Sequence, residues 1–79
     1  MRTLIAKDYW SEVELSNGVV AEFKERFRTI DQATDHAVDQ MSPLGEGWRV
    51  FIYRCNTLRT EYIVVKGLLI KVKNINEVY

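Results

Sequence analysis

Apolar and polar residues alternate along residues 9–28, and the alternation reverses around Ser16, Asn17 and Gly18, which predicts a β-hairpin. Two registers are open to it. A two-residue Asn-Gly turn would place Glu12 opposite Phe23 and mix acidic with apolar residues on one face. A three-residue loop with Gly18 in the left-handed conformation avoids that mixture.

The three-residue loop separates the two faces of the hairpin. The apolar face then consists of Tyr9, Val13, Leu15, Val19, Ala21, Phe23 and Phe27. The opposite face consists of Trp10, Glu12, Glu14, Val20, Glu22, Lys24 and Arg26. Because a slip of one residue would move every side chain to the other face, the pattern favours this register.

A helix is predicted next, since Thr29 and Gln32 have the spacing of a capping box. Residues at helical spacing form its apolar face: Ile30, Ala33, Thr34, Ala37, Val38 and Met41. Ser42 and Pro43 end it, because the residue before a proline avoids helical geometry.

The second half of the chain has the composition of strands, predicted over residues 48–55, 60–66 and 68–73, with a loop over 56–59 and a bulge or turn at Gly67. Whether residues 2–7 add an edge strand is open. The predicted order is β-β-α-β-β-(β). It describes one α+β domain over residues 1–79, a small antiparallel sheet of four to five strands with one helix packed on a face.

One helix covers only part of one face of such a sheet. Yet Trp48, Val50 and Ile52 alternate with Phe51 and Tyr53, so this strand is apolar on both sides. Bending of the sheet, a second copy in a homodimer, or a different protein is expected to cover the second face.

The charges cancel overall but are sorted by half. Residues 1–46 hold five basic and nine acidic groups, a net charge of −4, and residues 47–79 hold six basic and two acidic groups, a net charge of +4. Such a chain offers one acidic and one basic surface to a partner or to another copy.

Cellular location is predicted from three features. A single cysteine, Cys55, excludes an internal disulfide and fits a reducing compartment, and its thiol is expected to be buried and inert. The first ten residues have too short an apolar run for a signal peptide. No stretch approaches the roughly 20 apolar residues of a spanning helix. A small soluble cytoplasmic protein is expected.

No motif for catalysis is present. One histidine, His36, and one cysteine cannot build a four-ligand zinc site, and His36 is expected to be solvated on the polar side of the helix. Gly45, Glu46 and Gly47 precede a strand, whereas a phosphate-binding loop opens a helix. We therefore expect no catalytic residues, cofactor, metal or small-molecule substrate, and no enzymatic activity.

Two acidic groups are candidates for binding a protein partner. The helix carries Asp31, Asp35 and Asp39 four residues apart, a stripe typical of a solvated helix face but also able to dock on a basic partner. The hairpin carries Glu12, Glu14 and Glu22 beside Trp10. Glu12 lies opposite Glu22, and Lys24 and Arg26 are expected to neutralise this pair. The functional interpretation is an acidic face anchored by Trp10.

Four basic residues of the second half define an alternative, a nucleic-acid-binding or regulatory surface: Arg49, Arg54, Lys71 and Lys73. They are interleaved with aromatic residues, as in sheets that bind single strands. An isoelectric point near 6.6 and the lack of an RNP-like motif favour a protein partner over nucleic acid.

In size, layout, lack of motifs and uneven charge, the chain is similar in style to small accessory proteins of phages and mobile elements, including inhibitors of host defence such as anti-CRISPR proteins. The likeness covers the chain loosely and assigns no residue. It implies an interaction module that inhibits a host system by binding a protein. A third interpretation is a structural subunit with an obligate interface.

Overall fold

The computed structural model describes residues 6–74, which form five strands and one helix. In chain order they are β1 (Tyr9–Glu14), β2 (Val20–Phe27), α1 (Ile30–Met41), β3 (Arg49–Arg54), β4 (Thr57–Val65) and β5 (Leu68–Asn74). The strands form one antiparallel sheet in the order β2-β1-β3-β4-β5, with the helix packed on it. The predicted α+β class is confirmed, with five strands. Most of the possible edge strand over residues 2–7 lies outside the described residues, and Ala6 and Lys7 are not in a strand.

The first hairpin has the predicted register. The Leu15 amide donates to the Val19 carbonyl at 2.8 Å, the Gly18 amide donates to the Leu15 carbonyl at 2.9 Å, and Gly18 has a φ of +90°. Val13 therefore lies opposite Ala21. A glycine is favoured at this turn because a Cβ is strained at positive φ.

The helix begins and ends where predicted. The Thr29 hydroxyl accepts a hydrogen bond from the Gln32 amide at 3.1 Å. The Gln32 side chain accepts from the Arg28 amide at 3.1 Å, one residue before the position expected for a capping box. Ser42 is the C-terminal cap, directly before Pro43.

The core lies between α1 and the centre of the sheet. Val13, Val50 and Ile52 project from β1 and β3, and Ala33 and Ala37 meet them from the helix, all fully buried. Alanine at both helix positions lets the helix backbone approach the sheet closely. The helix packs mainly on β1, β2 and β3, so β4 and β5 extend beyond it.

The loop predicted over residues 56–59 is wrong. Arg54 pairs directly with Thr57, so β3 and β4 are joined by the two-residue turn of Cys55 and Asn56, with Cys55 at a φ of +54°. The register of β3 and β4 shifts between Ile52 and Tyr53, and the pairing then continues as far as this turn. The polar residues predicted as a loop are therefore largely part of β4. Cys55 is exposed in the turn, so the expected burial of its thiol is also wrong.

The uneven distribution of charge along the chain is kept across the sheet. The acidic first half of the chain supplies β1, β2 and α1, and the basic second half supplies β3, β4 and β5. Because the strand order keeps each half together, the negative and positive charges lie toward opposite edges of the sheet.

Candidate functional site

The sheet face opposite α1, here called the open face, is covered by no element within residues 6–74. Directly opposed residues of antiparallel strands share a face, so the strand register identifies its members. They include Trp10, Glu12, Glu14, Val20, Glu22, Arg49, Phe51, Tyr53, Glu61, Ile63, Val65, Leu68 and Ile70. The sequence-based expectation that one helix leaves the second face uncovered agrees with this arrangement.

An aromatic pair lies on the open face, near the turn that joins β3 to β4. The rings of Trp10 and Tyr53 stack with centroids 4.5 Å apart and an interplanar angle of 14°. The Trp10 indole N–H donates to the Cys55 carbonyl, and the Arg26 guanidinium lies 5.0 Å from the Trp10 ring centroid. Both aromatic side chains remain partly exposed. Trp10 is thus fixed in place while still accessible from solvent.

Three carboxylates lie close enough to the Tyr53 phenol to affect its ionisation. The Tyr53 hydroxyl donates to Glu12 at 3.2 Å. Burial raises the pKa of Tyr53, the negative charge of Glu12 and its hydrogen bond raise it further, and Glu61 and Glu22 add smaller effects. Three acidic side chains from three strands therefore act on one phenol.

The Glu12–Glu22 pair lies directly across β1 and β2, as the hairpin register predicted. The ion pairs formed among residues 6–74 join Arg49 to Glu61, Arg54 to Asp8 and His36 to Glu25. Neither Glu12 nor Glu22 takes part in them, and Arg26 lies over the Trp10 ring. The same face also carries Lys24, Arg26 and Arg49, so its charge is mixed, with Glu12, Glu14 and Glu22 grouped where β1 and β2 adjoin.

Titration of Tyr53 tests this geometry. We expect its hydroxyl to ionise above the usual value of 10.0, and Glu12→Gln to lower its pKa toward that value by removing the nearest charge. The pKa of Tyr53 is higher in the folded state than in the unfolded chain. The contribution of this phenol to the free energy of unfolding is therefore fully present below pH 10.0 and is lost as the pH rises through the folded pKa. The measurement is an NMR titration of the Tyr53 ring. A Tyr53 pKa unchanged by Glu12→Gln would contradict the contact.

The aspartate stripe lies on the other side of the sheet. Asp31, Asp35 and Asp39 are all exposed along α1, and Asp35 and Asp39 line a hollow beside β2 with Phe27. The seven residues predicted to bind a partner therefore form two separate groups. Trp10 and the three glutamates share the open face, and the three aspartates do not.

His36 is not solvated, contrary to expectation. Its side chain is only 18% exposed and lies 3.2 Å from Glu25, with ring centroids 5.0 Å from Phe27 and 5.7 Å from Phe23. The reason is that β2 extends along this flank of the helix and brings its aromatic residues against the polar arc. His36 packs the helix against the edge of the sheet.

The four basic residues of the alternative surface do not form one patch. Arg49 lies on the open face, 3.4 Å from Glu61, and Lys73 is the register partner of Glu61. Arg54 lies 3.7 Å from Asp8, and its guanidinium is 5.8 Å from the Tyr9 ring. Lys71 pairs with Tyr62, on the helix side. Both arginines are matched by carboxylates, which weakens the positive field that binding of phosphates requires.

The sequence alone does not place Tyr53 beside Trp10, or Phe51 and Glu61 on the same face. The available signal was a strand apolar on both faces, which showed that a second face existed but not what it adjoined. The missing information is the pairing of β1 with β3, which sets Trp10 opposite Tyr53.

Within residues 6–74, no group of three or more histidine, cysteine, aspartate or glutamate side chains is arranged to hold a metal. No helix of that region is long and apolar enough to cross a membrane. Comparisons with protein families, with curated proteins and with solved structures gave no match.

Proposed function

We propose that this protein is a non-enzymatic interaction module that binds another protein through the open face. The observation that carries the proposal is the Trp10–Tyr53 stack, partly exposed on an uncovered sheet face. Tryptophan and tyrosine are enriched among the residues that dominate binding energy at interfaces. Because the Trp10 ring is already held by Tyr53 and by the Cys55 carbonyl, little side-chain entropy is lost on binding.

The charges on the open face favour a partner with basic groups around an apolar centre. Glu12, Glu14 and Glu22 lie together on β1 and β2, and opposite charge on a partner would steer association and fix its orientation. Glu12 and Glu22 would repel a phosphate beside Tyr53, and the nearby Arg26 guanidinium already lies over the Trp10 ring. This geometry favours a protein over nucleic acid as the occupant.

The finer form of the proposal is inhibition of a host enzyme, in the style of phage-encoded inhibitors. The three glutamates would then enter a basic channel that normally holds nucleic acid. Asp31, Asp35 and Asp39 would not share that contact, because they lie on the other side of the sheet.

Two matched triple variants test which acidic group binds. One carries Glu12→Gln, Glu14→Gln and Glu22→Gln, and the other carries Asp31→Asn, Asp35→Asn and Asp39→Asn, so each removes three negative charges. We expect the glutamate variant to lose roughly 10- to 100-fold in affinity for the partner and the aspartate variant to change by about twofold or less. The partner is captured from nuclease-treated lysate, identified, and titrated in purified form.

Three outcomes would contradict the proposal. Equal losses in the two variants would show that overall charge, and not the open face, governs binding. Loss in the aspartate variant alone would place the contact on the helix. Captured material that disappears with nuclease, together with loss on Arg49→Ala or Lys71→Ala, would support the basic alternative instead.

If the partner is a second copy of this chain, the proposal predicts a homodimer. Sedimentation of the purified protein measures it directly. A dimer that Trp10→Ala dissociates would identify the open face as the self-association surface.

A further inference from the structure

β5 is an edge strand with an apolar and accessible surface. Within residues 6–74 the sheet ends at β5, so no described strand pairs with its outer side. Leu68, Ile70 and Val72 are 65%, 47% and 55% exposed. Such an edge presents unpaired peptide groups that can bind an additional strand.

The two edges of the sheet differ in the sign of their charges, although the strand pairing is irregular at both, near Tyr9 beside β2 and near Glu61 beside β5. β2 carries four charged residues of both signs among its eight, Glu22, Lys24, Glu25 and Arg26, and its pairing with β1 is irregular near Tyr9. Charged side chains and bulges discourage strand addition in general, and the glutamates of β2 would in addition repel an acidic strand. β5 contains no acidic residue, and its charged residues are lysines.

The lysines at this edge determine whether a second copy of β5 or an acidic strand of another protein binds there more favourably. Lys71 is exposed and has no ion-pair partner among the described residues, and Lys66 is exposed in the turn before β5. A second copy of β5 added antiparallel would bring two sets of these lysines together. Like charges on adjacent strands are destabilising, so this edge disfavours its own copy and favours an acidic strand.

The strand register also predicts the sequence pattern of a strand that would be added beside β5. Leu68 and Ile70 lie on the open face, opposite Val65 and Ile63, whereas Lys71 lies on the helix side, opposite Tyr62. A strand added beside them meets apolar groups on one face and a positive charge on the other. We propose that β5 binds, as a sixth strand, an extended segment of another protein in which apolar residues alternate with glutamate or aspartate.

Two labelled peptides test the proposal, one with three Val-Glu repeats and one with three Val-Lys repeats. In fluorescence anisotropy we expect the wild-type protein to bind the Val-Glu peptide at least tenfold more tightly. Lys71→Glu should lower this preference about tenfold. Lys24→Glu, the same charge change on the β2 edge, should leave it unchanged. Amide shifts in NMR spectra should concentrate on residues 66–74.

Each of three other results would overturn it. The first is no saturable binding of the Val-Glu peptide up to about 1 mM. The second is amide shifts centred on Trp10 and Tyr53, which would assign the peptide to the open face. The third is a dimer in sedimentation that Ile70→Asp dissociates and Trp10→Ala leaves intact, which would make a second copy the occupant of this edge. The peptide assay is independent of the open-face variants, so the two proposals can fail separately.

Discussion

Replacing Ile52 by alanine is expected to lower the free energy of unfolding by about 2 to 5 kcal/mol. Ile52 is fully buried, lies between Ser11 and Thr60 on the neighbouring strands, and packs in the cluster that includes Ala33 and Ala37. The substitution leaves a cavity that the surrounding β3 and α1 backbones cannot fill. A domain of this length has a total stability of only about 4 to 12 kcal/mol, so much of it would be lost.

Ile70→Ala is the matched control, since the same atoms are removed from a position that is 47% exposed on β5. We expect it to cost less than about 1 kcal/mol, because nearly half of Ile70 is already exposed to water and less apolar area is lost from burial. Urea unfolding followed by circular dichroism measures both variants. Similar losses at the two positions would show that the core is not centred on β3 and α1.

The parts of the fold predicted correctly depend on local sequence. The register of the first hairpin follows from its alternation and from Gly18, and the helix follows from Thr29 at its start and Pro43 beyond its end. Each signal lies within a few residues of the structure it specifies. Turn geometry and capping hydrogen bonds act over the same short distances.

The second hairpin shows where local signals mislead. Asn56 and its neighbours have the polarity of a loop, yet pairing continues to Arg54 and Thr57, and Cys55 occupies a positive-φ position that few residues favour. The strand pairing on both sides outweighs the preference of one turn residue. Nothing in the local composition specifies that balance.

The existence of the open face could be predicted from the sequence, but the contacts between its residues could not. Trp10 and Tyr53 are 43 positions apart, and their contact depends on β1 entering the sheet between β2 and β3. Charge alone also could not separate the glutamates from the aspartates, because all are acidic. Their separation depends on which face of the sheet the helix covers.

Trp10→Ala is expected to reduce partner affinity by at least about 30-fold, the effect of losing a dominant contact of about 2 kcal/mol. The substitution removes the exposed indole, its stack on Tyr53 and the contact with Arg26. It is also expected to lower the free energy of unfolding by about 1 to 3 kcal/mol, less than for a fully buried tryptophan. Binding must therefore be measured at a temperature at which circular dichroism shows the variant to be folded.

Trp48→Ala separates the loss of binding from the loss of stability. Trp48 packs against the hydrophobic core on the helix side and against Gly45, so its removal should destabilise the fold at least as much as Trp10→Ala. Trp48 contributes nothing to the open face, so the affinity of the Trp48→Ala variant for the partner should stay within about threefold of wild type. If both variants lost affinity in proportion to stability, binding would merely follow folding. A large loss confined to Trp10→Ala would show that the partner contacts the aromatic pair on the open face.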